Sequence, residues 1–334
     1  MGFAVVGLGS IAQSSILPAF AKCKNAKLVA VVGRNAKRTS RLARKFQVGS
    51  HYLDDAFAAC LANPEVSAVY IATPQSEHAR LTIQSAAAGK HVLCEKPLAT
   101  TPEQSAAMVE ACRCHRVLLM TAYRKYYEPS TLYLKQLIQS GKLGRIDLIH
   151  TAFSELHSPG RSLPWLLDLK TAGGGPLMDL GVYCVNTSRW LVDEDPVEVS
   201  AQSWVNNART FSEVEEGVAF QLRFPSGLRV QGSSSYSAVM SSFIFVQGSA
   251  GWASLSPAFQ FEDDRKLTGR IGKRHFERTF KTVDEFAPEI DAFAKAIQGH
   301  GLVEPDGIQG HRDIIIIDAI YKSARNNTSI AIEY

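Results

Sequence analysis

The sequence of 334 residues lacks the features of membrane-bound and exported proteins. Its longest apolar runs are far shorter than the roughly 20 residues that a membrane-spanning helix needs. Its first residues enter an apolar strand pattern directly, without the basic leader and cleavage site of a signal peptide. We therefore expect a cytoplasmic protein that does not bind membranes, and a periplasmic one only if a leader was removed.

Cysteines and basic residues show no arrangement that indicates a metal site or a nucleic-acid surface. The six cysteines occur neither as Cys-x-x-Cys nor at a Cys/His spacing typical of zinc, so we expect reduced thiols and no metal. The net charge of +4 comes from interspersed charges of both signs, without a basic stripe. With 46% hydrophobic and 20% charged residues, the composition is that of a globular protein, and the length favours two domains.

The sequence pattern changes near residue 123. Residues 1–123 alternate short apolar strands with helices, which predicts an α/β Rossmann domain with a parallel sheet covered on both faces. Residues 124–334 begin and end with helical patterns and are strand-rich between Val197 and Thr279. This part predicts an α+β domain with an open, mainly antiparallel sheet that binds substrate and forms oligomers.

A dinucleotide-binding fingerprint, Gly7-x-Gly9-x-x-Ala12, follows the first apolar strand and begins a helix. In this pattern Gly7 makes the tight turn, Gly9 lets the backbone approach the pyrophosphate, and Ala12 allows close packing of helix and strand. The free N–H groups at the helix start, including those of Ser10 and Ile11, bind the phosphates. The sequence therefore predicts a nicotinamide dinucleotide site.

The residues after the second strand favour NADP over NAD. An acidic residue there would bind the ribose of NAD, but Gly33 is followed by Arg34, Asn35, Lys37 and Arg38, with no carboxylate. Arginine suits the additional phosphate of NADP. A solvated basic helix face is the alternative, and it explains Lys37 but not the missing acid.

Two further segments are expected at the same crevice. Thr73 and Pro74 follow another strand and border the nicotinamide, with His78 one turn into the next helix. We interpret His78 as a residue that fixes the helix start more readily than as an acid or base. Lys96, in Glu95-Lys96-Pro97, ends an apolar strand where open α/β sheets bind ligands, so its ammonium group is available for chemistry. The alternative is a surface Glu–Lys pair before a turn.

These motifs together resemble the Gfo/Idh/MocA oxidoreductases, in an order and spacing that cover the whole chain. Within this family they are most similar to the glucose–fructose oxidoreductase branch. The segments that carry the resemblance include Gly7-Leu8-Gly9, Ala72-Thr73-Pro74-x-x-x-His78, Glu95-Lys96-Pro97, Ala122-Tyr123-Arg124, Gly173-Gly174-Gly175-x-x-x-Asp179-x-Gly181-Val182-Tyr183, Ser234-Ser235-Tyr236-Ser237 and Asp318-Ala319-Ile320-Tyr321.

The resemblance implies three catalytic residues. Lys96 contacts the reacting sugar oxygen, Asp179 orients the sugar, and Tyr183 is the general acid/base, at a position where many relatives carry histidine. Asp179 and Tyr183 are four residues apart on one helix and share a face. A tyrosine that caps a core helix and an aspartate that complements the helix dipole are the structural alternative, which leaves Lys96 unexplained.

The resemblance also implies a sugar substrate. Tyr123, Arg124, Trp165 and Tyr236 are candidates for lining its site, because aromatic faces with polar tips suit pyranoses, although each is equally compatible with a core position. Arg124, with Glu95 and Pro97, is also expected near the cofactor. The implied reaction oxidises C1 of a cyclic aldose to a lactone, coupled in the glucose–fructose branch to reduction of a ketose. The alternatives are an ordinary NADP-dependent aldose dehydrogenase, such as one for xylose, a keto-sugar or dihydrodiol oxidoreductase, and a non-catalytic dinucleotide sensor.

Oligomerisation is expected through the second domain. The alternation Val218-x-Phe220-x-Leu222 places an apolar set on one face of the predicted antiparallel sheet. An open sheet needs a partner for an apolar face that helices do not cover. We therefore predict a homodimer or homotetramer formed through this sheet.

Overall fold

The computed structural model describes residues 1–157, 164–261 and 263–334, and the chain forms two compact units. The first unit comprises Met1–Arg124 and Asp284–His311. The second comprises Lys125–Val283 and Arg312–Tyr334. The chain thus returns to the first unit late in the sequence, a feature that a single boundary at residue 123 does not include.

Fifteen strands occur in the described ranges, nearly all within the segments whose apolar patterns predict them. They are β1 (Gly2–Val6), β2 (Lys27–Val32), β3 (Ser50–Tyr52), β4 (Ala68–Ile71), β5 (His91–Glu95), β6 (Leu119–Ala122), β7 (Ile146–Ser154), β8 (Glu198–Trp204), β9 (Gly217–Arg223), β10 (Arg229–Ser235), β11 (Ser241–Gly248), β12 (Gly251–Ser256), β13 (Arg265–Ile271), β14 (Arg274–Phe280) and β15 (Ile330–Ala331).

Ten α-helices accompany these strands in the same ranges. They are α1 (Leu17–Ala19), α2 (Ala36–Lys45), α3 (Phe57–Ala62), α4 (His78–Ala87), α5 (Pro102–Cys114), α6 (Pro129–Gln139), α7 (Leu169–Ala172), α8 (Val182–Val192), α9 (Phe286–Ile297) and α10 (Gly307–Asn326). Shorter helical turns flank several of them, and wide π-type turns at Ala12–Ile16 and Leu177–Gly181 precede α1 and α8. No helix of the described residues is long and apolar enough to cross a membrane.

The first unit contains a six-stranded parallel sheet in the order β3-β2-β1-β4-β5-β6. Strands β1 and β4 are buried along their whole length, because short apolar strands of a parallel sheet are covered on both faces. This arrangement confirms the predicted Rossmann fold. The strand order changes direction between β1 and β4. Open α/β sheets bind ligands at such a point, beside the carboxyl ends of the two strands.

Helix α9 belongs to the first unit although it lies far along the sequence. Its Phe293 contacts Phe3 of β1 edge to face, with ring centroids 6.3 Å apart. Its Asp291 accepts hydrogen bonds from the backbone N–H groups of Lys24, at 2.8 Å, and Asn25, at 2.8 Å. The returning segment is therefore anchored by both apolar packing and charge-assisted hydrogen bonds.

The second unit contains a nine-stranded sheet in the order β14-β13-β12-β11-β7-β10-β9-β8-β15. Every neighbouring pair is antiparallel except β7 and β10, which are parallel. The predicted open, mainly antiparallel sheet is confirmed. Helix α8 packs against β7 and β10 and is buried from Val182 to Leu191.

The residues from which oligomerisation was predicted do not form an exposed apolar face. Val218, Phe220 and Leu222 are at most 4% exposed within this single chain, so they are core residues and need no partner. Alternation along a strand predicts that one face is buried, but it does not tell what covers that face. The opposite face of the sheet carries Phe243, which is 38% exposed, and the partly exposed Phe245.

Candidate functional site

The turn after β1 has the geometry that the fingerprint requires. Gly7 has a φ of +93°, and a Cβ there would lie 2.4 Å from the Ala72 carbonyl oxygen, so only glycine fits. A Cβ at Gly9 would meet no atom within 4 Å, which leaves open space above the backbone. Ala12 is fully buried. The first unit therefore has a backbone surface that a pyrophosphate can approach closely.

A glutamine that the sequence analysis did not single out supports this turn. The Nε2 of Gln13 donates hydrogen bonds to the carbonyl oxygens of Leu8, at 3.0 Å, and Gly9, at 3.2 Å. Ser10 is exposed and Ile11 half-buried beside it. A hydrogen bond from a side chain back to its own turn depends on the backbone conformation, and no spacing motif predicts it.

The basic residues after β2 are exposed, as a site for an additional phosphate requires. Arg34, Lys37 and Arg38 all lie at the surface. The side chain of Asn35 accepts a hydrogen bond from the Arg38 backbone N–H at 2.9 Å and thereby caps α2. Asp54 comes close to Arg34 from the segment after β3; burial raises the pKa of its carboxyl more than the Arg34 charge lowers it.

His78 connects the loops that follow β4 and β5. Its Nε2 lies 3.0 Å from the Thr73 carbonyl oxygen, and its Nδ1 lies 3.1 Å from that of Pro97 and 3.3 Å from that of Leu98. The imidazole is 1% exposed, and burial lowers its pKa more than these carbonyl oxygens raise it. This geometry favours the predicted role in positioning over a role as acid or base.

The hydroxyl of Thr73 is a buried polar group at the carboxyl end of β4. Its Oγ1 is buried and has no hydrogen-bond partner among the residues that the structure describes. Buried polar atoms in native proteins are nearly always paired, so an unpaired one at the end of a Rossmann strand indicates a missing partner. The crevice end of β4 thus suits the ribose or amide oxygens of a dinucleotide.

Lys96, at the end of β5, is half-buried next to the half-buried Glu95, and Glu95 shares the Tyr70 hydroxyl with the buried Glu289. The Tyr70 hydroxyl lies 3.0 Å from Glu95 Oε1 and 3.4 Å from Glu289 Oε2, and Glu95 Oε2 accepts the Lys96 backbone N–H at 3.3 Å. Burial raises the pKa of Glu95 and raises that of Glu289 well above its usual range. Because Glu289 is on α9, the sequence analysis did not connect it with Lys96.

Tyr123 and Arg124, the last two residues of the N-terminal segment of the first unit, are deeply buried. Arg124 forms an ion pair with Glu285, and both side chains are 3% exposed. Tyr123 is 1% exposed. The structure thus places both in the core of the first unit, which was the alternative to a role in binding. Their predicted contacts with cofactor and sugar stay predictions.

The segment Gly173-Gly174-Gly175 of the second unit needs glycine because of its backbone conformation and because other chain segments pack closely against it. Gly173 ends α7 with a φ of +78°. A Cβ at Gly174 would lie 2.0 Å from the Tyr321 hydroxyl oxygen, and one at Gly175 would lie 2.4 Å from the Glu215 carbonyl oxygen. Any side chain at these two positions would displace the turn that leads to Asp179.

Glu215 holds this turn and is a residue that the sequence analysis missed. Its Oε2 accepts the Gly175 N–H at 2.9 Å, and its Oε1 accepts the Leu177 N–H at 3.1 Å and the Tyr321 hydroxyl at 2.9 Å. Burial raises the pKa of Glu215, while these donors lower it. A carboxylate at the start of a helix pairs N–H groups that have no partner inside the helix.

Asp179 and Tyr183 lie on consecutive turns at the start of the buried helix. A wide turn, Leu177–Gly181, contains Asp179, and such turns are frequent at functional sites. The Tyr236 hydroxyl donates a hydrogen bond to Asp179 Oδ2 at 3.1 Å, and burial followed by the Asp179 charge raises the pKa of Tyr236. Asp179, Tyr183 and Tyr236 thus lie in one region of the second unit, and their predicted roles stay predictions.

The ring of Tyr183 is held by aromatic packing. Its centroid lies 5.8 Å from that of Phe153, edge to face, and 5.5 Å from that of Phe259, nearly parallel. The residue is 5% exposed. Trp165, the other predicted sugar contact of this unit, is half-buried in the turn Pro164–Leu167.

Comparison with known proteins identifies the family. The family described as "Oxidoreductase family, NAD-binding Rossmann fold" matches residues 1–123, and the "GFO/IDH/MocA C-terminal domain" matches residues 131–254. The chain is 30% identical to D-xylose 1-dehydrogenase (NADP(+)) of Haloarcula marismortui, over 99% of this chain and 93% of that protein. The chain belongs to the Gfo/Idh/MocA oxidoreductases. This confirms the resemblance recognised in the sequence.

Other members of this family are similar along the whole chain. The 1,5-anhydro-D-fructose reductase of Ensifer adhaerens is 27% identical over 98% of both chains. Among solved structures, aldose-aldose oxidoreductase from Caulobacter crescentus, complexed with glycerol, superposes with a TM-score of 0.95 at 31% identity over 99% of both chains. Levoglucosan dehydrogenase in complex with NADH and levoglucosan has a TM-score of 0.89 at 24% identity, which shows a shared fold.

Replacing Gly9 tests the backbone surface for the cofactor. Because a Cβ at Gly9 enters open space, Gly9→Ala should leave the melting temperature of the cofactor-free protein within about 1 °C of wild type. It should weaken NADP binding about tenfold or more, since the methyl group occupies the path of the pyrophosphate. Titration with NADP and thermal unfolding check both results. Gly49, which also faces open space, provides the matched control Gly49→Ala, and equal NADP affinity of the two variants would contradict the assignment.

The buried carboxyl of Glu289 predicts a pH-dependent stability. Its folded-state pKa is raised, so the folded protein keeps a proton that the unfolded chain loses, and stability falls as the pH rises above the ordinary pKa of glutamate. Glu289→Gln removes this titration. We expect the free energy of unfolding of the variant, measured in urea, to exceed that of wild type by an amount that grows from pH 5 to pH 8. The exposed Glu65→Gln controls for the loss of one negative charge; a constant or shrinking difference for Glu289→Gln would refute the prediction.

Proposed function

We propose that this protein is an NADP-dependent oxidoreductase that oxidises C1 of a cyclic aldose to the lactone. The observation that carries the proposal is the pair Asp179 and Tyr183 on consecutive turns of one buried helix, with Asp179 bonded to Tyr236. A carboxylate and a phenol are groups that orient a sugar and exchange a proton with its hydroxyl. Whole-chain similarity to relatives named for aldoses supports the same chemistry.

NADP is the proposed cofactor, held by the first unit. Its pyrophosphate would lie against the backbone from Gly9 to Ala12, and its additional phosphate beside Arg34 and Arg38, which are exposed and have no acid at the end of β2. The relative from Haloarcula marismortui is named for NADP(+), which supports this choice. When bound, the nicotinamide supplies the site that accepts a hydride.

The residues of the chain supply the proton chemistry and the orientation. In the proposed mechanism Tyr183, as the phenolate, takes the proton of the C1 hydroxyl while the hydride leaves C1, and the C1–O bond becomes the lactone carbonyl. As the family resemblance implies, the Lys96 ammonium contacts the reacting sugar oxygen and stabilises the negative charge that develops on it. Asp179 accepts a hydrogen bond from a sugar hydroxyl and fixes the ring. Trp165 and Tyr123 remain candidates for sugar contacts.

Two versions of this activity have separate support. The Caulobacter crescentus relative is named for transfer between two aldoses, which favours a cycle in which a second sugar is reduced by the hydride that the first has delivered. The Haloarcula marismortui relative is named a D-xylose dehydrogenase, which favours oxidation of one aldose with release of the reduced cofactor. We propose the coupled cycle first, and the ordinary aldose dehydrogenase as the second candidate.

The two versions predict different amounts of nicotinamide cofactor bound to the purified protein. The test records absorbance near 340 nm of untreated protein before and after addition of glucose or xylose. Stoichiometric reduction of retained cofactor, reversed by a second aldose or by fructose, is the result expected for the coupled cycle. Turnover only with added NADP supports the ordinary dehydrogenase. Cofactor binding without turnover on any aldose or ketose would overturn both and favour a sensor.

Tyr183→Phe isolates the role of the phenol. The ring contacts with Phe153 and Phe259 are kept, so the melting temperature should stay near that of wild type. Loss of the acid/base group should lower kcat on an aldose by roughly 10²- to 10⁴-fold with unchanged NADP affinity. Tyr133→Phe, in α6 of the same unit, is the control and should keep full activity. A Tyr183→Phe variant with near-wild-type kcat would eliminate this residue as the proton acceptor.

We further propose a homo-oligomer formed through the outer face of the nine-stranded sheet. Phe243 is 38% exposed there, and Phe245 and Trp252 form an aromatic pair with ring centroids 5.6 Å apart. Exposed aromatic residues on an open sheet face are typical of interfaces. Light scattering should show a dimer or tetramer for wild type and a monomer for Phe243→Asp. Leu302→Asp, at an exposed apolar residue of the first unit, controls for the charge, and an unchanged mass of Phe243→Asp would place the interface elsewhere.

A further inference from the structure

His157 stands directly after β7 and is fixed next to Tyr236. Its backbone N–H donates to the Tyr236 carbonyl oxygen at 2.7 Å, and the N–H of Glu155 donates to that of Ser235 at 3.0 Å. These bonds extend the contact between the β7 and β10 segments beyond the ends of both strands, with a register shift of one residue. The position of His157 is therefore determined by the sheet.

The imidazole of His157 is buried without satisfying its hydrogen-bonding groups. Its side chain is 9% exposed, and both ring nitrogens lack a hydrogen-bond partner among the residues that the structure describes. Oε1 of Glu155 lies 4.0 Å from Nε2, which is beyond hydrogen-bond distance and within ion-pair distance only for a protonated imidazole. A buried donor or acceptor without a hydrogen-bond partner lowers the stability of the folded protein, because the water it gave up is not replaced.

The same imidazole lies one aromatic ring away from the proposed catalytic carboxylate. Its ring packs on that of Tyr236, with centroids 4.1 Å apart and planes tilted by 36°. The Tyr236 hydroxyl in turn donates to Asp179 Oδ2 at 3.1 Å. A neutral imidazole presents one donor and one acceptor, and a hydroxyl group presents the complementary pair. A polyhydroxylated ligand held by Asp179 would therefore bring suitable partners to His157.

We propose that His157 is a specificity-determining residue that binds a hydroxyl group of the sugar. The inference rests on the proposed function for the identity of the ligand as an aldose. A histidine with a purely structural role would have its ring N–H paired inside the protein, as His78 does through the carbonyl oxygens that face its ring. The ring nitrogens of His157, which have no partner among the described residues, instead lower the stability of the protein without substrate, and a sugar hydroxyl would pair them.

His157→Phe separates the two roles because phenylalanine keeps the ring against Tyr236 and removes both nitrogens. If His157 binds substrate, the variant should melt at the same or a higher temperature than wild type, since a buried unpaired polar group is removed. Its kcat/KM for the preferred aldose should fall about tenfold or more, with NADP affinity unchanged. The exposed His275→Gln on β14 is the control. A lower melting temperature with unchanged kcat/KM would assign a structural role and overturn the proposal.

Deoxy analogues of the sugar identify the hydroxyl group that His157 binds. For wild type, one of the 2-, 3-, 4- or 6-deoxy analogues should lose about as much kcat/KM as His157→Phe loses on the parent sugar. The variant should then show no additional loss with that analogue, because the same hydrogen bond has already been removed. Additive losses for all four analogues would show that His157 contacts none of these hydroxyls and would overturn the proposal.

A binding measurement keeps this inference separate from the proposed reaction. The imidazole signal of His157, one of nine histidines, is assigned in NMR spectra of labelled protein by its absence from His157→Phe. Addition of aldose to the NADP-loaded protein should shift this signal, whether or not turnover follows. A shift without turnover would refute the proposed reaction and retain the site. Turnover without a shift would refute the site and retain the reaction.

Discussion

Glu215 accepts hydrogen bonds from the backbone N–H groups of Gly175 and Leu177 and from the Tyr321 hydroxyl, and the candidate site of the second unit depends on these bonds. They join a segment before β9, the turn before α8 and helix α10. The carboxylate pairs helix-start donors that otherwise have no partner, and it does so only because glycine at Gly174 and Gly175 lets the segments approach. The direction of the helix that carries Asp179 follows from this arrangement.

The first unit uses a comparable device at a different place. His78 connects the loops after β4 and β5 through carbonyl oxygens of Thr73, Pro97 and Leu98. These are the loops in which a Rossmann fold binds its nicotinamide, so their mutual position determines what the cofactor meets. Both units thus hold the loops of their candidate sites with buried polar side chains, and such side chains are costly unless their hydrogen-bonding groups are paired, which favours one geometry.

The family motifs predicted a large part of both regions, because glycine requirements and strand-end positions are local. Gly7 and Gly9 were predicted from spacing alone, and their backbone geometry is the one expected. Asp179 and Tyr183 were predicted to share a face, and they follow each other in one helical segment. By contrast, β3 (Ser50–Tyr52) was not predicted, since three half-polar residues show no periodicity.

The amino-acid sequence by itself determined the two fold classes, the position of the dinucleotide turn and the residue types of the proposed chemistry. Period, glycine spacing and strand-end residues act over a few neighbouring positions and can be recognised without the fold. Only the tertiary structure decided that Glu289 lies near Glu95 and that Glu215 holds the turn before α8. It alone also showed that both ring nitrogens of His157 are buried without a hydrogen-bond partner among the described residues. Each of these facts joins residues that are distant in sequence, or depends on which atoms surround a side chain. No local pattern encodes that information.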